Sequence, residues 1–228
     1  MKLKKSLLAL AVLGTVSGAA SAQTNVTFYG IVDAGIDYDT SKNAGGAKWA
    51  LQSGQQSSSR FGIKGSEDLG GGLSTKFTLE NGFQLDDGTL KYPVNATTPR
   101  LFGRQAWISL DGGFGSVKLG RQYSSMFLAL GAIDPFGIST AANAQNLFGY
   151  GVDALDPISR SDNTISYTTP TVAGFSALAG YKFGETPGAF NTGSSKFLGL
   201  TYANNHLLVM ASYQSTDAVS FGDSCAAG

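Results

Sequence analysis

The sequence predicts an all-β protein built from antiparallel strands, and two observations lead to that prediction. The first is composition: 31 of the 228 residues are glycine and only 14% are charged, whereas an average chain has about 7% glycine and about 25% charged residues. The second is a repeated alternation of apolar and polar residues, which is the two-residue period of a strand that shows its side chains to the two faces of a sheet. Together they are typical of a sheet protein with many tight turns.

Nine segments of the chain carry this alternation. In the third of them, for example, Phe77 and Leu79 oppose Lys76, Thr78 and Glu80. In chain order the predicted strands are approximately 26–38, 60–65, 73–85, 102–110, 116–119, 164–168, 175–183, 198–202 and 207–214. The fourth is the least regular, and no segment with a helical period competes with them.

The connections between these strands alternate in length. Short turns of Gly, Asn or Asp, such as 70–72 and 204–205, follow every second strand, and long connections lie at about 39–59, 86–101, 122–160 and 185–195. An outer-membrane barrel has this asymmetry, because its turns are short on the periplasmic rim and its loops are long outside. The apolar and polar faces then meet lipid and water, so we expect a transmembrane antiparallel β-barrel in the cell outer membrane.

The first 22 residues predict an export signal. Three lysines precede an apolar run from Leu7 to Val16, and Ala20-Ser21-Ala22 forms a small-residue cleavage site. The apolar run is shorter than the roughly 20 residues that a spanning helix needs. We therefore expect 1–22 to be a signal peptide and 23–228 to form the barrel region.

Composition and motifs argue against several other functions. Net charge is zero, so there is no basic excess to neutralise nucleic-acid phosphates. One cysteine and one histidine (Cys225 and His206) are too few for a zinc site of Cys and His ligands, and no nucleophile motif or phosphate-binding loop is present. We expect neither an enzyme nor a cofactor.

Five segments resemble the general diffusion porins of the Gram-negative outer membrane, of the β-proteobacterial type. The resemblance runs from the signal peptide to about Gln214. The segments that carry it are Thr27-Phe28-Tyr29-Gly30-Ile31-Val32-Asp33-Ala34-Gly35, Ser59-Arg60-Phe61-Gly62-Ile63-Lys64-Gly65-Ser66-Glu67-Asp68-Leu69-Gly70-Gly71-Gly72-Leu73, Gly103-Arg104-Gln105-Ala106-Trp107, Phe114-Gly115-Ser116-Val117-Lys118-Leu119-Gly120-Arg121-Gln122 and Arg160-Ser161-Asp162-Asn163-Thr164-Ile165-Ser166-Tyr167.

This resemblance implies a homotrimer of 16-stranded, water-filled barrels through which small hydrophilic solutes and ions diffuse. It also implies that the third long loop, here about 122–160, folds into the barrel and narrows it. A basic cluster on the wall then faces acidic groups on that loop.

Carried over by position, the basic wall comprises Arg60, Lys64, Arg104 and Arg160. Alternation places Arg60 and Lys64 on the polar face, and it gives Arg160 the parity of Thr164 and Ser166. For Arg104 the alternation points to lipid instead, where Arg costs about 2–4 kcal/mol at mid-bilayer. We therefore follow the resemblance, which places Arg104 in the lumen and leaves Trp107 outside.

The constriction loop is expected to contribute Asp134, Pro135, Phe136, Gly137, Asp153 and Asp156. The glutamate that the family usually carries before the Phe-Gly pair is replaced here, since Asp134 precedes Pro135. A weakened acidic side leaves the constriction net basic, so a mild anion preference follows. Arg121 stands where the fifth predicted strand ends and is expected to anchor the loop.

Nine strands are fewer than the 16 of the family, so the sequence indicates the N-terminal part of such a barrel. Two alternatives remain open from the sequence. One is an exported soluble β-sandwich that binds a ligand, and the other is a different outer-membrane barrel, an adhesin or an enzyme.

Overall fold

A computed structural model describes residues 25–40, 46–93, 98–138 and 159–217. The signal peptide expected at 1–22 lies outside the described residues. The eleven strands are β1 (Asn25–Ile31), β2 (Ala34–Asp39), β3 (Lys48–Ser53), β4 (Arg60–Gly70), β5 (Leu73–Gly82), β6 (Gln105–Gly112), β7 (Gly115–Tyr123), β8 (Arg160–Thr168), β9 (Phe175–Lys182), β10 (Ser195–Ala203) and β11 (Leu208–Thr216). One described helix, α1 (Ser125–Ile133), follows β7.

Nine strands form one antiparallel sheet in the order β1-β4-β5-β6-β7-β8-β9-β10-β11. After β1, each strand therefore pairs with its neighbour in sequence, which is the topology of an up-and-down barrel. The nine-stranded, all-β prediction is confirmed, and the sheet is open, with β1 and β11 at its edges. Short and long connections alternate along it as predicted.

Burial in this sheet is inverted relative to a soluble protein. Large apolar side chains such as Phe28, Ile108 and Leu119 are 71%, 52% and 49% exposed, whereas Thr164 and Ser166 are each 3% exposed. We call the face that carries Phe28, Ile63, Ile108, Leu119 and Ile165 the apolar face, and the face that carries Lys64, Thr78, Ser109, Lys118 and Ser166 the polar face. A soluble sandwich buries its apolar faces, so this pattern does not fit that alternative.

The first predicted strand, 26–38, is wrong in one respect: it is two strands. The chain turns at Val32 and Asp33, and the Asp33 carboxylate accepts hydrogen bonds from the backbone N–H groups of Gln55, Gln56 and Ser57 at 3.1, 3.0 and 2.7 Å. β2 then pairs with β3, inside the connection expected at 39–59. Alternation continues across the turn, so the sequence pattern does not report the break.

The connection that begins after β7 contains α1, which packs on the sheet. Ser124 caps the helix by accepting from the backbone N–H of Phe127 at 3.1 Å. The Ser125 and Ser212 hydroxyls lie 2.7 Å apart, and Ser125 also lies beside Gly199 of β10. The start of the long loop at 122–160 therefore lies over the polar face of β10 and β11.

Candidate functional site

A carboxylate on β5, Glu80, is the centre of a charged cluster on the polar face. It is 4% exposed and stands two residues from Thr78, whose side chain shares the face. Its Oε1 lies 2.7 Å from Arg104 Nε, and its Oε2 lies 3.8 Å from Arg60 Nε. The Tyr29 hydroxyl donates to Oε2 at 3.0 Å. One carboxylate thus faces two arginines: it accepts a charge-assisted hydrogen bond from Arg104 and forms a longer ion pair with Arg60.

Arg104 reaches this cluster because the sheet is irregular at the start of β6. Gln105 is the register partner of Glu80, and the backbone N–H of Arg104 also donates to the Glu80 carbonyl at 3.1 Å. Two consecutive residues therefore oppose one, as in a β-bulge, and both side chains point the same way. The guanidinium also donates to the Tyr123 hydroxyl at 3.1 Å.

The expected position of Trp107 is wrong. It pairs with Thr78, and its ring lies 4.3 Å from the Lys118 ammonium, so it stands on the polar face. The bulge is the reason: it turns Arg104 to the polar face without shifting the alternation of the rest of β6. Alternation and the family resemblance placed Arg104 on opposite faces because neither takes a local bulge into account.

Arg160 belongs to the same cluster, and aromatic rings surround its guanidinium group. Its guanidinium carbon is 4.1 Å from the ring centre of Tyr92, 5.1 Å from that of Tyr123 and 5.4 Å from that of Phe127. Its Nε is buried and has no hydrogen-bond partner among the described residues. Cation–π contacts of this kind stabilise a charge and leave it unneutralised.

The parity argument for Arg160 does not hold along β8. Between Gly120 and Gln122 β7 advances by two residues, while β8 advances by three from Ser161 to Thr164. Asn163, in that interval, has a φ of 50°. The two-residue period is interrupted there, so alternation does not predict the face on which Arg160 lies. Its contacts with the aromatic rings show that it lies in the cluster.

The cluster has a positive charge that its own residues do not cancel. Arg60, Arg104 and Arg160 contribute three positive charges, and Glu80 contributes one negative charge, so the net charge is about +2. This charge affects Tyr92, in the connection between β5 and β6. Burial raises the pKa of Tyr92, but the guanidinium groups of Arg160 and Arg104 outweigh burial. The pKa of Tyr92 therefore lies below its ordinary value. Such a site can attract small anions and repel small cations.

Lys64 lies apart from the arginines. It stands four residues from Arg60 along β4, a distance of roughly 13 Å at the usual rise. Its ammonium lies 5.4 Å from the ring centre of Tyr29. It shares the polar face, and its contact with the Glu80 cluster is the ring of Tyr29, whose hydroxyl donates to Glu80.

Arg121 joins the two ends of the long loop. Its Nη1 lies 2.6 Å from Asp162 Oδ1, at the start of β8, and its Nε donates to the Gly103 carbonyl at 2.8 Å. Arg100, in the connection before β6, lies 3.0 Å from the other oxygen of Asp162. These contacts support an anchoring role for Arg121.

The predicted loop residues are partly described. Asp134 follows α1 and is buried, and its carboxylate accepts from the backbone N–H groups of Phe136 and Ile138, both at 2.9 Å. Gly137 has a φ of 60° within that turn. Pro135 lies in the same turn, and Asp153 and Asp156 lie outside the described residues. Asp134 therefore orders its own turn.

Sequence reasoning missed the acidic member of the wall. It sought the carboxylate on the loop, whereas Glu80 supplies one from β5. The signal was present, because Glu80 shares parity with Lys76 and Thr78 on a predicted strand. The three tyrosines (Tyr29, Tyr92 and Tyr123) were not predictable, because long-range packing brings them together.

No group of three or more metal-binding side chains occurs within the described ranges. Within the same ranges, no helix is long and apolar enough to cross a membrane.

Comparison with known proteins gives consistent results. The profile of the family described as Gram-negative porin matches residues 9–227. An outer membrane porin protein of Bordetella pertussis is 36% identical, over 95% of this chain and 60% of its own length. Outer membrane porin protein 32 of Delftia acidovorans is 42% identical, over 80% of this chain and 50% of its own.

A solved porin structure is also similar to this chain. The anion-selective porin from Comamonas acidovorans superposes with a TM-score of 0.69 at 33% identity, over 86% of this chain and 59% of that one. The chain thus spans about half to three fifths of the length of these relatives.

Proposed function

This chain belongs to the Gram-negative porin family, and we propose that it forms part of the wall of a water-filled channel in the outer membrane. The observation that carries the proposal is the inverted burial of its sheet, with apolar side chains exposed on one face and polar side chains covered on the other. A strand wall between lipid and water requires this pattern. Small hydrophilic solutes and ions are the proposed cargo.

The loop at about 122–160 is proposed to narrow the channel. Its described part supports this, because α1 lies on the polar face against Ser212 and Gly199. Tyr123 and Phe127 stack at 4.5 Å between ring centres and contact Arg160, so the loop and the basic cluster are adjacent. A solute that moves along the polar face therefore meets the loop and the basic cluster at the same depth in the channel.

Anion preference is the proposed selectivity. Arg60, Arg104 and Arg160 line the narrowed part in this proposal, and Glu80 neutralises only one of their three charges. The similarity to the anion-selective porin from Comamonas acidovorans supports it. Lys64 extends the basic wall toward the short-turn rim.

The remaining parts of the proposal concern the whole protein. Residues 1–22 direct export and are removed, and the barrel is a homotrimer in outer-membrane lipid. Passive diffusion accounts for the polar face without a catalytic group, and we propose no enzymatic activity.

Reversal potentials across a planar lipid bilayer, under a KCl gradient, test this function. We expect a potential with the sign of anion permeation. Arg160→Gln removes a cation that, in water at about 5 Å, attracts an anion and repels a cation by about 0.8 kcal/mol each. Each effect is about fourfold, so the anion-to-cation permeability ratio should fall by up to about 16-fold.

Lys196→Gln is the matched control. Lys196 pairs with Tyr181 on the opposite face from Phe197 and Ser195, outside the channel in this proposal. Removing this charge should leave the ratio unchanged. Cation preference of the unaltered channel would contradict the proposal.

A further inference from the structure

The polar face carries a second group of charged side chains, nearer the short-turn rim than the arginine cluster. Lys64, Lys76 and Lys118 come from three different strands, and Trp107 lies among them. We propose that Lys64, Lys76 and Trp107 form a binding site for carboxylates that carry an aromatic ring, an inference that rests on the proposed water-filled channel.

Strand register builds a cavity at this place. Thr78 pairs with Lys64 on one side and with Trp107 on the other, so a short side chain lies between two long ones. Lys76 is two residues from Thr78 on the same face, a diagonal neighbour of both at about 7–8 Å. Thr78 is therefore the floor of a cavity of about 310 Å³ that Lys64, Lys76 and Trp107 line.

The charge of this cavity is positive. Lys76 lies 3.5 Å from Asp111, and half of its side chain is exposed, so this ion pair neutralises it weakly. Lys64 forms no ion pair with any acidic side chain among the described residues, where its recorded contact is the ring of Tyr29. Two ammonium groups on one side of the cavity suit a carboxylate, which accepts from both.

The indole of Trp107 favours a ligand that carries a flat ring as well as a negative charge. Its Nε1 donates to Gln105 Oε1 at 2.9 Å, and the Lys118 ammonium lies 4.3 Å from its ring centre. Both contacts hold the ring in one orientation. A fixed indole beside two cations offers stacking area to a flat ring whose carboxylate reaches the lysines.

The volume is consistent with this class of ligand. Cavities for small molecules begin at about 300 Å³, so a cavity of about 310 Å³ can hold a single-ring carboxylate. Because Lys64 is about 13 Å along β4 from Arg60, an anion that has passed the arginine cluster reaches this site next.

Tryptophan fluorescence tests the proposal directly. The chain has two tryptophans, Trp49 and Trp107, so Trp49→Phe leaves the indole of the site as the single reporter. With the protein folded in detergent, benzoate should change this emission saturably. Cyclohexanecarboxylate, which has the same charge and no aromatic ring, should bind about fivefold more weakly.

Lys64→Gln and Lys76→Gln should each weaken benzoate binding about fivefold, and Lys196→Gln should not. Trp107→Phe, with Trp49 retained, should show no saturable change. Equal binding of the two carboxylates, an equal effect of Lys196→Gln, or no saturation in the Trp49→Phe protein overturns the proposal. Ion selectivity in bilayers is measured without benzoate, so failure of this site and failure of the anion-selective channel are separate results.

Discussion

The two faces of the nine-stranded sheet are made from alternate residues of the same strands, yet their surroundings differ completely. On β7, Leu119 is 49% exposed and pairs with Ile108 and Ile165, whereas Lys118 turns to the other face and lies against Trp107. The described sheet therefore has no apolar core of its own. Among the described residues, only Leu130 and Phe197 are buried apolar side chains, and both belong to the region where α1 meets the sheet.

The largest effect should come from placing a charge on the apolar face. Leu119→Arg puts a guanidinium among Ile108 and Ile165, where mid-bilayer burial costs about 2–4 kcal/mol. We expect the free energy of unfolding in lipid vesicles, measured by urea titration, to fall by that amount. Lys118→Arg is the control one residue away, and its effect should be small because the polar face already holds a cation there. Equal losses from both variants would remove the distinction between the faces.

A smaller effect should follow from removing the carboxylate of the polar face. Glu80→Gln keeps the shape of the side chain and an acceptor oxygen, but Arg60 and Arg104 lose their counter-charge. Because hydrogen bonds between charged groups contribute about 1.5–3 kcal/mol, we expect thermal unfolding in detergent to show a loss of about 2 kcal/mol.

The same variant should raise anion preference, since the net charge of the cluster increases from about +2 to about +3. Glu67→Gln, outside the cluster, should change neither stability nor selectivity appreciably. A Glu80→Gln protein that is less stable and less anion-selective would show that Glu80 orders the arginines more than it neutralises them.

The loop anchor should have a more modest effect. Asp162→Asn removes the charge that Arg121 and Arg100 share, and partly exposed ion pairs of this kind contribute up to about 1 kcal/mol. The expected result is a small loss of stability together with more frequent brief closures in single-channel recordings, because the ends of the long loop are held less firmly. Glu67→Gln, near the short-turn end of β4, is the comparison. Unchanged closures would leave Asp162 without an anchoring role.

The smallest effect concerns pH. Since the guanidinium groups hold the pKa of Tyr92 below its ordinary value of about 10, the phenol becomes a phenolate before unperturbed tyrosines do as pH rises. A negative charge then appears beside Arg160 and Arg104, so anion preference should fall with increasing pH before other tyrosines titrate. Tyr92→Phe should abolish that early step in the reversal potential. If the step persists in Tyr92→Phe, another group is responsible.

Alternation and loop lengths were sufficient to predict the topology of the large sheet, because each strand after β1 pairs with its neighbour in sequence. They were not sufficient to predict the hairpin of β2 and β3, since the same alternation continues through the turn at Asp33. The bulge at Arg104 and the slip in β8 were equally invisible, because a strand's period does not show where one residue is added.

The candidate site was likewise predicted only in part. The resemblance selected Arg60, Arg104 and Arg160, and the structure brings all three to one cluster. Glu80 lay on a predicted strand and was overlooked because the acidic partner was sought on the loop. Tyr92 comes from a long connection, and only the folded chain shows that it meets Arg160.

The central claim is that the polar face lines the conducting path and the apolar face does not. Ile63 and Lys64 are consecutive residues of β4 on opposite faces, so each is replaced by cysteine in a Cys225→Ser background. A negatively charged, membrane-impermeant thiol reagent is then added during single-channel recording. Modification of Lys64→Cys should lower the conductance and the anion preference, while Ile63→Cys should conduct as before. A change with Ile63→Cys, or a labelled Lys64→Cys channel with unaltered current, would contradict the account.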